Sequence, residues 1–193
     1  MEIDNTVIII IVAVVIGLII AGFVGFLVSI YNALVRMRNN ISKSWANIDV
    51  LLKQRSDELP KLVDSVKGYI KYEEKILTQV TEARTKFLDA QTVQEKARAD
   101  NMITDALKSL FAVAENYPIL KANESFLQLQ RRISGLENEL ADRREFYNDS
   151  VNEYNIKIVS FPDMIIARMI GYTQPETMFK VEESDKEDVK IEF

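Results

Sequence analysis

The chain has no histidine and no cysteine, and its 193 residues include only four prolines and six glycines. Without cysteine there is no disulfide, no thiolate metal ligand and no thiol nucleophile. Without histidine, the Ser-His-Asp and Cys-His arrangements for hydrolysis are excluded. The Glu-x-x-His motif that holds paired iron in helical bundles is excluded too. A zinc site would have to draw on carboxylates alone, a poor set for that ion. No Gly-rich phosphate loop of Walker or Rossmann type is present. Among the acids, Asp49, Glu73, Glu115 and Glu137 are the four from which an all-carboxylate site could be assembled. A metal-binding protein or enzyme using such buried carboxylates is the alternative reading. The expectation is otherwise: no catalytic residue, no cofactor, no metal and no small-molecule substrate.

Charge is also short on one side. The net charge is −5. Glu2 and Asp4 account for −2 and the residues after Tyr172 for −4, so the stretch between is close to neutral. A nucleic-acid binder needs a concentrated basic face to exploit phosphate charge, and none is found.

What the chain does have is one long apolar run, Val7 to Val28, with no charged residue in it. At ~1.5 Å per residue it reaches across the ~30 Å core of a bilayer. Arg36, Arg38 and Lys43 follow. A cleaved signal peptide opens with a positive region, has a shorter core and ends at a small-x-small site. Here the N-terminus is acidic and the run is long, so it is read as an uncleaved anchor, residues 7–30, behind a short segment 1–6. Lys and Arg stay on the cytoplasmic side, which puts the N-terminus outside and everything after the anchor in the cytoplasm. The lipid bilayer is thus the first expected partner, in the cell membrane, by a single pass. Ala13, Gly17, Ala21, Gly25, Ser29 and Ala33 place a small residue at every fourth position. On a helix these share one face, a groove for self-association or for another membrane helix.

Residues 31–172 read as an all-α domain. Leu34, Arg38, Ile41, Trp45, Ile48, Leu52, Arg55, Leu59, Leu62, Val66, Tyr69, Glu73, Ile76, Val80, Ala83 and Phe87 recur in steps of three and four. That is the seam of an antiparallel, left-handed bundle of long helices. Pro60 lies inside it. The seam keeps phase there, so a kinked continuous helix is expected and three long helices in all. If Asp57 instead caps a new helix, there are four. A further helix is predicted over 93–116, with Gln91-Thr92 as the turn before it and Tyr117-Pro118 as its stop. It turns Ala97, Ile103, Leu107, Leu110, Phe111 and Ala114 inward. The last long helix runs from Asn123 or Ser125 to about Ser160, with a seam of Phe126, Leu129, Ile133, Leu136, Leu140, Arg143, Tyr147, Val151, Tyr154, Ile158 and Phe161. Met164 to Tyr172 is a short apolar segment that packs on the bundle or lies in the membrane interface. From Thr173 an acidic, disordered tail is expected, with a strand-like alternation at Val189–Phe193.

Polar residues on these seams are the candidate site. Tyr147-Asn148 and Tyr154-Asn155 repeat at seven, which puts both tyrosines inward and both asparagines on the flank. Buried polar groups need partners. These four are expected to fix helix register against Asp49 or Arg55, or else to line a groove for a partner peptide. Arg131-Arg132 and Arg143-Arg144, with Glu137, Glu139 and Asp142 between, read as a solvated helix face with i,i+4 ion pairs.

Several runs carry a resemblance. They begin with Tyr31-Asn32 and Leu34-Val35, then Ile48-Asp49-Val50 with Arg55, Leu59-Pro60, Leu62-Val63 and Val66-Lys67-Gly68-Tyr69. Ala114-Glu115-Asn116-Tyr117-Pro118 leads through Lys121-Ala122-Asn123 to Phe126. Arg144-Glu145-Phe146-Tyr147-Asn148, Tyr154-Asn155 and Phe161-Pro162 complete the set. In this order after one anchor, they make the chain resemble the LemA family over nearly its whole length. Glu58 and Lys61, flanking Pro60, depart from the family's pattern. The resemblance implies a single-pass membrane protein with a helical bundle and brings no catalytic activity; some relatives are linked to magnetosome membranes. The functional expectation is an interaction or scaffold module at the membrane, with a relay of anchor packing through the first helix as a weaker variant.

Overall fold

The computed structural model describes residues 5–69 and 74–179. They form six helices: α1 (Asn5–Val66), α2 (Glu74–Asp89), α3 (Val93–Ala114), α4 (Pro118–Lys121), α5 (Glu124–Val159) and α6 (Asp163–Met169). The chain is all-α, and its long apolar N-terminal helix continues into a part that packs against later helices. It divides into two compact units, Met1–Ser42 with Ser150–Glu176 and Lys43–Asp149 with Thr177–Phe193.

In the first unit, α1 is the one helix among the described residues long and apolar enough to cross a membrane. From Asn5 to Phe26 its side chains are exposed. Burial starts at Ile30 and Leu34 and continues at Ile41, matched by Val151, Tyr154 and Ile158 of α5 and by Ile166 and Ala167 of α6. The α6 helix stops at Gly171, whose φ of +78° suits a residue without Cβ. There the Gly171 N–H donates to the Arg168 carbonyl and the Tyr172 N–H to the Ala167 carbonyl. This double closure is a Schellman motif, and it fixes where Tyr172 emerges.

In the second unit, Ile48, Leu52, Leu59 and Leu62 of α1 are buried together with Val80 and Phe87 of α2, Ile103 and Leu110 of α3, and Ile133 and Leu140 of α5. Trp45 meets Tyr147, Arg55 meets Glu137 and Glu58 meets Arg132, so α1 and α5 run antiparallel here. Pro60 lies within α1 and the helix continues through it, as the unbroken phase of the seam implies. A proline has no N–H, so the Ser56 carbonyl one turn earlier loses its helical donor. The Arg84 Nε of α2 donates to that carbonyl at 3.3 Å.

Two expectations are corrected. The seam from Leu34 to Phe87 is two helices, not one: α1 stops at Val66, before a turn at Lys67–Tyr69, and α2 begins at Glu74. Gly68, a weak helix former, sits in that turn; Glu73 lies outside the described residues. Nor does the tail begin at Thr173, since residues up to Phe179 are held by α5, as shown below. The stretch from 180 onward, including Val189–Phe193, lies outside the described residues.

The helix starts are set by local chemistry. Thr92 and Glu95 form a capping box at α3, each side chain satisfying the other's backbone N–H. Asn123 accepts the Phe126 N–H at the start of α5 and donates to the Tyr69 hydroxyl. Thr92→Ala is expected to lower unfolding free energy by about 1 kcal/mol in a urea titration. The backbone N–H groups of Thr92 and Gln91 hold the Glu95 carboxyl below its ordinary 4.5. Its contribution is therefore fully present above the unfolded-state value and is lost as pH falls through the lower folded one. The loss caused by Glu95→Gln should accordingly be smaller in acid below that value than at neutral pH, measured by the same urea titration.

Candidate interaction site

Arg55 is fully buried on α1. Its Nη1 donates to Asp100 Oδ1 of α3 at 2.8 Å and to the Thr104 hydroxyl at 3.1 Å, and Nη2 donates to the same hydroxyl at 3.1 Å. Glu137 of α5 stands 3.5 Å from Nη2. Asp100, also buried, takes Arg144 of α5 on its other oxygen. A buried charge costs several kcal/mol unless it is paired and hydrogen-bonded. Here one acid on α3 answers two arginines, tying three helices together. Arg55 Nε and Arg144 Nε find no acceptor among the described residues. Further along α1, buried Glu58 takes Arg132 at 2.8 Å and Lys61 at 3.1 Å, so the two residues that flank Pro60 form an ion pair with each other.

Arg144 leads from this polar core to an extended strap. Its guanidinium lies 4.9 Å from the centre of the Phe179 ring, which is buried and also faces Trp45 at 6.2 Å. Asn148 grips the same residue by its backbone: the Phe179 N–H donates to Oδ1 at 2.8 Å, and Nδ2 donates to the Phe179 carbonyl at 3.0 Å. Tyr147 donates its hydroxyl to the Thr177 carbonyl at 2.8 Å. An asparagine amide offers one donor and one acceptor side by side, which suits the N–H and C=O of one extended residue. It reads backbone, whatever the side chain.

The first unit uses the same device. Asn155 accepts the Glu176 N–H at 2.8 Å and donates to the Glu176 carbonyl at 2.9 Å. Arg38 lies 4.7 Å above the Tyr172 ring and 3.7 Å from the Glu176 carboxylate. Tyr154 is buried against Tyr172, and burial pushes its phenol above the ordinary value while Arg38 pulls the other way.

The expected pairing of these residues is therefore replaced. Tyr147, Asn148 and Asn155 hold a strap of the same chain. Asp49 is paired with Lys96, which also stands 6.0 Å over Trp45, and Arg55 turns to α3. On α5, Arg143 forms the exposed i,i+4 pair with Glu139, Arg132 reaches from the exposed face to buried Glu58, and Arg144 faces inward to Asp100. The periodicity does not single out Asp100, and it places Arg144 on a solvated face where the structure turns it inward. Asp100 falls three residues after Ala97 and three before Ile103, a core position carrying a charge opposite to Arg55, and that was the available signal. Of the four carboxylates considered for a metal, the three that are described are not brought together: Asp49 and Glu137 have separate basic partners and Glu115 is exposed. Among the described residues no three ligating side chains cluster. In the apolar run, Ala13, Gly17, Ala21, Gly25 and Ser29 are exposed and Ala33 is half-buried. A Cβ at Gly17 or Gly25 would touch nothing among the described residues.

Among the described residues the secondary structure is all helical, and one helix is long and apolar enough to cross a membrane. The chain belongs to the LemA family, whose model matches residues 44–193. It is 30% identical to Protein LemA of Metamycoplasma hominis over 82% of this chain and 72% of that protein. It is also 24% identical to Magnetosome protein MamQ 2 of Paramagnetospirillum magneticum, over 81% of this chain and 67% of the relative. The magnetosome protein MamQ of Magnetospirillum gryphiswaldense is 21% identical over the same shares.

Proposed function

We propose that this protein is a single-pass, membrane-anchored interaction module and not an enzyme. Its N-terminus lies outside, its bundle is cytoplasmic, and its long helices are wound left-handed. The observation that carries this reading is the contrast along α1. Among the described residues nothing covers the apolar side chains from Val7 to Phe26, while Leu34, Ile48 and Leu52 on the same helix are buried. An uncovered apolar surface of that length requires another apolar environment. Arg36, Arg38 and Lys43 beyond it supply the positive flank that sets orientation. The magnetosome names of two relatives are consistent with work at a membrane. The small-residue face from Ala13 to Ala33 is the surface through which two such helices approach closely.

The test is in-cell cross-linking and affinity capture of the full chain beside a Gly17→Leu, Ala21→Leu, Gly25→Leu variant. The expected result is a defined oligomer or membrane partner that the variant loses. Capture of the same partner by both proteins moves the interface to the bundle. Failure of either to capture anything removes the interaction reading.

A further inference from the structure

We propose that the corner between α5 and α6 seats in the lipid headgroup layer beside the membrane span. The inference rests on the anchored reading and adds a second membrane contact to it. Of the eleven exposed large apolar side chains described after Val28, five fall in fourteen residues: Ile156, Val159, Phe161, Ile165 and Met169. Phe161 is 80% and Met169 77% exposed. Exposed apolar residues scattered singly need no explanation, but a concentrated patch does.

The position of the corner selects the occupant. It belongs to the same compact unit as the span. Tyr154 stands level with Arg38, since both meet Tyr172. On the span side of Arg38, Ile30 and Leu34 are buried, and beyond Tyr154 so are Ile158, Ile166 and Ala167. The chain after Tyr154 therefore runs back toward the span and covers Ile30 and Leu34. Arg38 lies ten residues beyond Val28, about 15 Å along the helix, and the seven residues from Tyr154 to Phe161 return about 10 Å of it. The corner is left about 5 Å past the end of the apolar run, within the headgroup layer, which is some 5–7 Å deep on each side.

Charge agrees with position. Asp163 is the one acid between Ile156 and Gly171, and Lys157 neutralises it at 3.0 Å. Arg168 is exposed between Ile165 and Met169. Its stem lies along the apolar face and its guanidinium reaches the phosphates, the arrangement of an interfacial segment. The expectation for Met164–Tyr172 thus resolves into two faces, with Ile166 and Ala167 packed and Ile165 and Met169 turned to lipid.

Because the chain has no cysteine, single probes can be placed without removing anything. The full chain is reconstituted in phosphatidylcholine–phosphatidylglycerol vesicles with a fluorophore on Phe161→Cys, Met169→Cys, Ile119→Cys or Val15→Cys. All four positions are exposed, so folding is preserved, and circular dichroism checks it. Phe161→Cys and Met169→Cys should be quenched by a headgroup-level lipid nitroxide roughly threefold more than Ile119→Cys, as for an apolar face buried about 5–10 Å into the interface. Equal quenching of all three by an aqueous quencher overturns the proposal. So does shielding from water without lipid quenching that disappears on dilution with empty lipid, which would mark a second copy as the cover. Val15→Cys separates the two readings. If a mid-bilayer nitroxide fails to quench it, the anchor reading falls; if it is quenched while the corner stays wet, only the corner proposal falls.

Discussion

Replacing Asp100 with alanine should lower the unfolding free energy by about 3–5 kcal/mol, the scale for breaking a buried ion pair from one side. The reason is not the lost attraction but what stays behind. Arg55 is fully buried and cannot reach water, and it would keep the Thr104 hydroxyl and a 3.5 Å contact with Glu137 as its only remaining partners among those described above. Arg144 would lose the same acid. Chemical unfolding in detergent, followed by circular dichroism, measures the loss. The comparison that isolates the cause is the Arg55→Met, Asp100→Leu double variant. It removes the stranded cation along with the anion and should recover most of the stability, because apolar replacements of such pairs are often neutral. A loss below about 1 kcal/mol in the single variant would mean that this pair is solvated like a surface one.

Phe179→Ala should produce the second large effect, and a different kind of one. Truncating a buried phenylalanine costs about 3–5 kcal/mol where the surroundings cannot relax. Here the ring sits on a strap held by a few hydrogen bonds, each worth about 1 kcal/mol net. The segment is expected to let go before the bundle melts. Trp45 is the only tryptophan of the chain and faces both Phe179 and Tyr147, so its emission should shift to the red. Asn148→Ala keeps the ring and removes only the backbone grip; it should shift Trp45 less while speeding exchange of the Phe179 amide. Unchanged Trp45 emission in both variants would show that the strap is not seated against the tryptophan.

The helices were legible because their apolar spacing and their punctuation agree. Gln91-Thr92 before α3, Tyr117-Pro118 after it and Asn123 before α5 are punctuation that the structure uses, whereas the short α4 that opens at Pro118 was not legible as a helix. The break after Val66 was not legible, because Ile76, Val80, Ala83 and Phe87 resume in phase with the seam before it, and periodicity alone cannot see a turn that preserves phase. The choice between Arg143 and Arg144 was degenerate for a similar reason. From Leu140 to Tyr147 the steps read equally well as three then four or as four then three. Only a partner decides, and Asp100 lies on another helix. The strap was least legible of all. Asn148 and Asn155 hold backbone, and a backbone leaves no signature in the sequence of the segment held.

Pro60 has a consequence beyond the course of its own helix. An uninterrupted helix satisfies its interior carbonyls and gives a neighbour nothing polar to recognise there, so packing alone chooses which helix lies beside it and at what height. By withholding one donor, Pro60 leaves a single unclaimed acceptor at Ser56, and Arg84 is the side chain that claims it. The defect works as an address, selecting one height for α2 where an apolar seam would accept several. An alanine at 60 would be worth up to ~3 kcal/mol on a propensity scale. In this bundle it would give back less, since the restored helix would no longer specify where its neighbour docks.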